Sequence, residues 1–220
     1  MPTTIAVTGR AEERIAPELG AVTLSVGGSG AAREHVYGRT SAAHERLLAE
    51  VRELEASGAL ETWSAGQLRV WSYRPWNNEG RQLPVVHQAS ADVEVVFTDL
   101  SRIGEWVGEA AGSDEITIGG IEWRLTEATR RRVQETAQRA AVADAVTKAQ
   151  VYASALGLGA PTPVELADQG LLAVHPGPPM PKAMMMRAVA DVGGAAPTEF
   201  APQELVIEAA VDARFTADPA

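Results

Sequence analysis

The chain has 220 residues, of which 45% are hydrophobic and 22% are charged, and its formal net charge is −10 at pH 7. This composition is typical of a globular protein that is long enough to bury a substantial core. The negative charge disfavours binding to nucleic acid, and the absence of cysteine excludes disulfides, thiol nucleophiles and zinc sites with cysteine ligands.

The sequence predicts no membrane span. No stretch approaches the roughly 20 apolar residues that a membrane-spanning helix needs. The first residues, Met1 to Thr4, have neither the basic start nor the apolar core of a signal peptide. We therefore expect a cytoplasmic protein for the chain as given, and a periplasmic or envelope protein if a leader peptide has been removed.

Alternating apolar residues predict two strands at the start of the chain. The first covers Thr4 to Ala11 and the second Val22 to Val26. We expect the glycine-rich segment Gly27–Gly30 to end the second strand as a turn. A helix should follow from Val36 to Leu54, where apolar residues recur every three or four positions, and Gly58 is a suitable end for it.

The middle of the chain predicts an antiparallel hairpin, a short helix and a bent strand. Leu68–Tyr73 and Gln88–Phe97 alternate in polarity and are joined by a turn-rich loop. A short amphipathic helix is expected over Leu100–Ala110. In Ile116–Leu125 the inward-facing parity flips across Gly119–Gly120, which predicts a β-bulge there.

The last third predicts a long helix followed by strands. The helix should run from about Glu127 to Leu156, and its small alanines allow close approach to a sheet. Val164–Ala167 is expected to form a short edge strand. Residues 175–202 are rich in proline and methionine and predict an extended excursion, after which Leu205–Phe215 alternates as a final strand.

This order, β-β-α-β-β-α-β-α-(β)-loop-β, predicts an α+β fold with largely antiparallel sheets and helices packed on one face. We interpret residues 1–220 as one domain. The alternative is a division into two subdomains, at about 1–98 and 99–220.

Four segments resemble the SIMPL-domain (YggE-like) family. Ile5–Ala11 resembles its first strand, "I-x-V-x-G-x-(G/A)", and Ile118–Leu125 resembles its "I-G-G-I-x-(F/W)-x-L" strand. Ala141–Gly157 resembles its helix "A-x-x-D-A-x-x-K-A-x-x-x-A-x-x-L-G". The proline- and methionine-rich tract from Pro176 to Pro202, before a closing strand, is also similar.

The resemblance implies an interaction protein more than an enzyme. The family is known mostly as bacterial envelope or periplasmic proteins without assigned catalysis, and it offers no catalytic residues to transfer. Some members assemble into ring- or channel-like homo-oligomers, some are linked to oxidative-stress tolerance, and the name-giving member is a signalling adaptor. The resemblance therefore implies a homo-oligomer or a protein partner, with no catalytic residue and no cofactor.

The residues themselves also show no catalytic constellation. The segment Gly27–Gly30 lacks the third glycine of a dinucleotide fingerprint and a following Walker lysine, which favours a structural turn with Ser29 as a helix cap. Asp92 and Glu94 share the outward face of one strand, where a wet sheet surface needs polar residues. The histidines lack the i+3 or i+4 pairing of a helical metal site; they are His35, His44, His87 and His175.

Three aromatic residues at the predicted hairpin, Trp71, Tyr73 and Trp76, are candidates for interaction. Beside Asn77 and Asn78, they could pack on the sheet, mediate self-association or stack on a sugar.

Four methionines in the proline-rich tract form the other candidate surface: Met180, Met184, Met185 and Met186. We interpret them as adaptable apolar filler or an oligomer contact, with a soft-metal Cu(I) site as the alternative. The sequence thus predicts a non-enzymatic, self-assembling structural protein, and the alternative is a small-ligand or soft-metal binding module.

Overall fold

The structure, a computed structural model, describes residues 2–76, 83–172 and 202–220. Most of the proline- and methionine-rich excursion therefore lies outside the described residues, as does part of the hairpin loop. The candidate residues outside these ranges are Asn77, Asn78, His175, Met180, Met184, Met185 and Met186.

The predicted α+β architecture is confirmed. The elements are β1 (Thr3–Ile15), β2 (Leu19–Gly30), α1 (Arg33–Ala56), β3 (Leu60–Ala65), β4 (Arg69–Tyr73), β5 (Val86–Phe97), a 3-10 turn (Leu100–Arg102), α2 (Ile103–Ala110), β6 (Ile116–Arg124), α3 (Glu127–Ala155), β7 (Thr162–Asp168) and β8 (Leu205–Ala217). All pairings between these strands are antiparallel. The predicted order lacked only β3.

The described elements group into two compact units. The small-sheet unit contains β1, α3, β7 and β8, and the large-sheet unit covers Ala16–Thr126. Along the chain, the boundaries between the units lie at Ile15/Ala16 and at Thr126/Glu127. The N-terminal strand belongs with the C-terminal elements because β1 pairs with β8 along its whole length, from Thr3 with Ala217 to Ile15 with Leu205.

The small-sheet unit is built on close packing of a helix against a three-stranded sheet of order β1-β8-β7. Alanines at every fourth position of α3 are fully or almost fully buried: Ala137, Ala141, Ala145, Ala149 and Ala153. A β-carbon built on Gly9 would lie 2.0 Å from the carbonyl oxygen of Ala141 and 2.8 Å from the β-carbon of Ala145. The strand glycine and the helix alanines therefore bring the two backbones together.

The large-sheet unit has a sheet of order β3-β5-β2-β6, with β4 also paired to β5. In its main core, side chains of β2 and β5 pack against side chains of α1 and α2. The core includes Val22, Leu24, Val26, Leu47, Val93, Val95, Phe97 and Trp106. The alternation that predicted these strands places the even-numbered residues of β2 and the odd-numbered residues of β5 on the core side, and the remaining residues on the opposite face of the sheet.

The prediction that Gly27–Gly30 ends β2 as a turn is wrong. The strand continues to Gly30, and α1 begins at Arg33 with Ala32 as an N-cap residue that makes no side-chain cap hydrogen bond. A β-carbon on Gly28 would lie 3.0 Å from the Thr40 hydroxyl oxygen. Helix α1 thus passes close to this end of the strand. Gly28, which has no side chain, leaves room for the helix at the place where the sequence predicted a turn.

The β-bulge predicted at Gly119–Gly120 is confirmed. In the pairing of β6 with β2, Thr23 is opposite Gly120 whereas Leu24 is opposite Ile118. Gly119 is the extra residue, and Gly120 has a φ of +143°, which favours glycine. The bulge explains how Ile118 and Ile121 both pack against one core despite their opposite parity.

In the described part of the chain, no helix is both long and apolar enough to cross a membrane.

Candidate functional site

The aromatic residues of β4 are exposed on one face of the large sheet. Trp71 lies opposite Gln88 and Tyr73 opposite Val86, both of the β5 parity that faces away from α1. The exposed fractions are 43% for Trp71 and 46% for Tyr73. Trp76, which follows the strand, is 84% exposed. The sequence predicted this cluster, and the structure places Trp71 and Tyr73 side by side on one open face.

Trp71 lines a shallow cleft of about 430 Å³ at the end of β2 and β5. Gln88 and Ser90 of β5 line it next to Trp71, Gly27 lines it from β2, and Asp114 lies in the same lining. The Ser90 hydroxyl oxygen is 3.0 Å from that of Ser25 on the neighbouring strand. The cleft therefore combines one aromatic ring with small and polar side chains.

Among the described residues that line this cleft, Arg39 is the one arginine, and it is paired with a carboxylate. The Arg39 Nε lies 3.2 Å from the Glu115 Oε1, and the Glu115 side chain is only 15% exposed. Since a paired guanidinium has little attraction left for an anion, the glycines near Arg39 do not make a strong phosphate site.

The other described residues considered for catalysis or metal binding in the large-sheet unit are carboxylates held in ion pairs and histidines that do not form a metal site. Asp92 lies 3.1 Å from the Arg69 guanidinium and Glu94 lies 2.9 Å from that of Arg124. Of the histidines within the described residues, His35 is exposed and His44 and His87 are half-buried. Across the ranges that the structure describes, no group of three histidine, aspartate or glutamate side chains is arranged to hold a metal ion.

The helix motif of the small-sheet unit has a structural explanation. Asp144 accepts a hydrogen bond from the Arg10 backbone N–H at 2.8 Å, and the Lys148 ammonium donates to the Thr8 carbonyl at 3.0 Å. The two side chains also pair with each other at 2.7 Å. They occupy one backbone N–H and one backbone C=O in the middle of the outer edge of β1, which makes this part of the edge less available to another strand.

Two carboxylates of this unit have lowered pKa values. The hydrogen bond from Lys148, followed by that from the Arg10 backbone, lowers the pKa of Asp144. The pKa of Asp212 is lowered by the Gly170 backbone N–H, which donates at 2.7 Å, and by the Thr8 hydroxyl, which donates at 2.8 Å. The ionised forms of both groups therefore favour the folded state.

We expect this unit to lose stability in acid. A lowered folded-state pKa gives a stabilisation that is present above the unfolded pKa, about 3.9 for aspartate, and is lost as pH falls through the folded value. Urea unfolding of the wild type between pH 6 and pH 2 should show a decline below about pH 4 that Asp212→Asn flattens. The same steepness in both proteins would contradict the assignment.

A glutamate of opposite behaviour serves as the control. Burial, together with the nearby Glu109 and Glu53, raises the pKa of Glu50. Its stabilisation is present at low pH and is lost as pH rises through the folded value. Glu50→Gln should therefore raise stability slightly at neutral pH and have no such effect in acid.

A surface that sequence reasoning located only in part is the outer edge of β7, the edge that faces away from β8. The predicted edge strand Val164–Ala167 is confirmed within β7, but its apolar side chains remain exposed: Val164 is 59% and Leu166 is 58% exposed. Helix α3 packs on β1 and β8, and no described strand pairs with the other edge of β7. Sequence alternation could not reveal this exposure, because it does not tell where a helix stops covering a sheet.

A protein-family model matches most of the chain. The model of the SIMPL family, described as "Protein of unknown function (DUF541)", matches residues 5–215. No curated protein matches the chain significantly. The matched range includes all three motif segments that lie in described elements, namely the β1 glycine strand, the bulged β6 strand and the alanine-rich α3 helix. The chain therefore belongs to the SIMPL (DUF541) family.

Proposed function

We propose that the chain is a non-enzymatic interaction module that assembles with copies of itself through the outer edge of β7, the edge that faces away from β8. The observation that carries this proposal is the contrast between the two edges of the small sheet. Asp144 and Lys148 occupy backbone groups on the outer edge of β1. The outer edge of β7 has no such cover from described residues, and its apolar side chains are exposed.

An uncovered strand edge is a template for pairing with another strand, because its outward N–H and C=O groups lack partners. Proline at position 163 has no N–H to donate, so the usable segment is Val164–Asp168. Two copies of such a segment can pair in antiparallel fashion about a two-fold axis, since the same patch then meets itself. Closed rings would need a second surface on the chain.

Burial of the exposed apolar side chains adds to the backbone pairing. Full burial of a valine or leucine side chain stabilises by about 1.5–3 kcal/mol, so covering the half that is exposed on Val164 and Leu166 gives about 1 kcal/mol each. Each new backbone hydrogen bond adds about 1 kcal/mol. These contributions stabilise pairing between the β7 strands of two copies of the protein. A link to stress tolerance stays a prediction that rests on the family resemblance.

The test is the solution mass of the protein by light scattering over a range of concentrations. We expect the wild type to have a mass that is a multiple of 23.2 kDa. The double variant Val164→Lys/Leu166→Lys should shift towards the single-chain mass with an unchanged circular dichroism spectrum, because lysine on an edge strand opposes pairing and both positions are exposed.

The matched control is Val206→Lys. Val206 is also an exposed valine, but it lies on β8, the central strand of the same sheet. This variant should keep the wild-type mass. A wild-type protein that is a single chain at every concentration, or a double variant with the wild-type mass, would contradict the proposal.

A further inference from the structure

We infer that the cleft beside Trp71 is a binding site for a neutral saccharide. This inference goes beyond self-assembly, and it concerns the large-sheet unit, whereas the β7 edge belongs to the small-sheet unit. It rests on three features of the cleft: the exposed aromatic ring of Trp71, a floor without bulky side chains, and the polar side chains around it.

The floor of the cleft lets a flat ring approach the sheet. Gly27 contributes no side chain, and a β-carbon at this position would lie 3.3 Å from the Ala89 carbonyl oxygen. The neighbouring Ser90 is small. A pyranose ring can therefore lie on the sheet and against the indole, where the electron-rich aromatic face attracts the polarised C–H groups of the sugar.

The polar groups suit hydroxyl recognition. The Gln88 amide both donates and accepts hydrogen bonds, the Ser90 hydroxyl does the same, and the Asp114 carboxylate accepts. Sugar hydroxyls can act as donor and as acceptor, so they match this mixture. A cleft of about 430 Å³ falls in the range of sites for small ligands.

Charge decides between a neutral and an anionic ligand. The Arg39 guanidinium is paired with Glu115, Asp114 adds a negative charge, and the whole chain carries −10. An anionic ligand would meet net repulsion here. The favoured occupant is therefore an uncharged oligosaccharide, with one sugar residue on Trp71.

The experiment uses the full chain and three neutral probes: cellotetraose, chitotetraose and maltotetraose. We expect at least one of them to give saturable ligand signals in saturation-transfer NMR and a saturable change in tryptophan fluorescence. Trp71→Ala should weaken that binding at least about fivefold, the effect of losing one aromatic contact. Trp71→Tyr should retain part of the affinity, because it retains a flat ring.

Two further variants separate binding from folding. Gln88→Leu should weaken binding with Trp71 still in place, which keeps the inference testable if Trp71→Ala does not fold. Tyr152→Ala removes a ring that is 51% exposed on α3 and does not line the cleft, so it should bind like the wild type. Absence of saturation with all three probes, or equal affinity in wild type, Trp71→Tyr and Gln88→Leu, would overturn the inference. Neither result depends on the oligomeric state.

Discussion

Gly9→Ala should destabilise the small-sheet unit by about 3 kcal/mol, because the added methyl group cannot be placed without moving a backbone. Its β-carbon would lie 2.0 Å from the Ala141 carbonyl oxygen and 2.7 Å from the Ala145 nitrogen. Both obstacles are main-chain atoms of a 29-residue helix, which cannot yield as a flexible side chain would. Urea unfolding followed by far-UV circular dichroism measures the effect.

Gly38→Ala is the matched control for this variant. Gly38 lies within α1, and a β-carbon there meets nothing within 4 Å. The same chemical change should therefore stabilise the protein by about 0.8–1 kcal/mol, because alanine favours a helix over glycine. If Gly9→Ala were as stable as the wild type, the close strand–helix contact would be wrong.

Phe97→Ala should cost the large-sheet unit about 3–5 kcal/mol, the usual effect of deleting a large buried aromatic side chain. Phe97 is fully buried, and its ring centre lies 5.2 Å from that of Trp106. All five tryptophans of the chain fall within residues 16–126, so tryptophan fluorescence in urea reports this unit.

The control for Phe97→Ala is Tyr37→Ala, which removes an aromatic ring that is 52% exposed on α1. Its effect should stay within about 0.5 kcal/mol. A cost below about 1 kcal/mol for Phe97→Ala would mean that the interior can close around the lost ring, and that the core is not as tightly packed as the structure indicates.

Local alternation predicted the faces of the strands, because side chains of a strand point alternately to its two sides. It also predicted the β6 bulge, since the parity of Ile118 and Ile121 can be reconciled only by an extra residue. Alternation does not identify partners. The pairing of β1 with β8 joins residues about two hundred positions apart, and nothing in either strand alone indicates it.

Some predictions were wrong because packing between elements determined the structure against the local preference of the residues. Glycine at positions 27–30 suggested a turn, whereas the structure uses Gly28 and Gly30 to bring α1 near the sheet, with the Val36 side chain 3.1 Å from a β-carbon built on Gly30. Strand β3 was missed because most of its six side chains are polar or small, and it lies at a sheet edge.

The candidate surfaces were predictable to different degrees. The two aromatic residues of β4, Trp71 and Tyr73, stood out in the sequence because they are two positions apart and so lie on the same face of the strand. Their exposure depends on what covers the sheet, which only the structure describes. The methionine tract lies outside the described residues, so its proposed roles in self-association or Cu(I) binding stay predictions.

Hydrogen exchange of the β7 backbone at low and high protein concentration tests the self-assembly proposal most directly. If copies pair through this edge, the amides of Val164–Asp168 that point away from β8 should exchange more slowly as concentration rises, while the Arg10 amide of β1, which donates to Asp144 of α3, should not change. An assembled protein whose β7 amides exchange at the same rate at all concentrations would contradict the account.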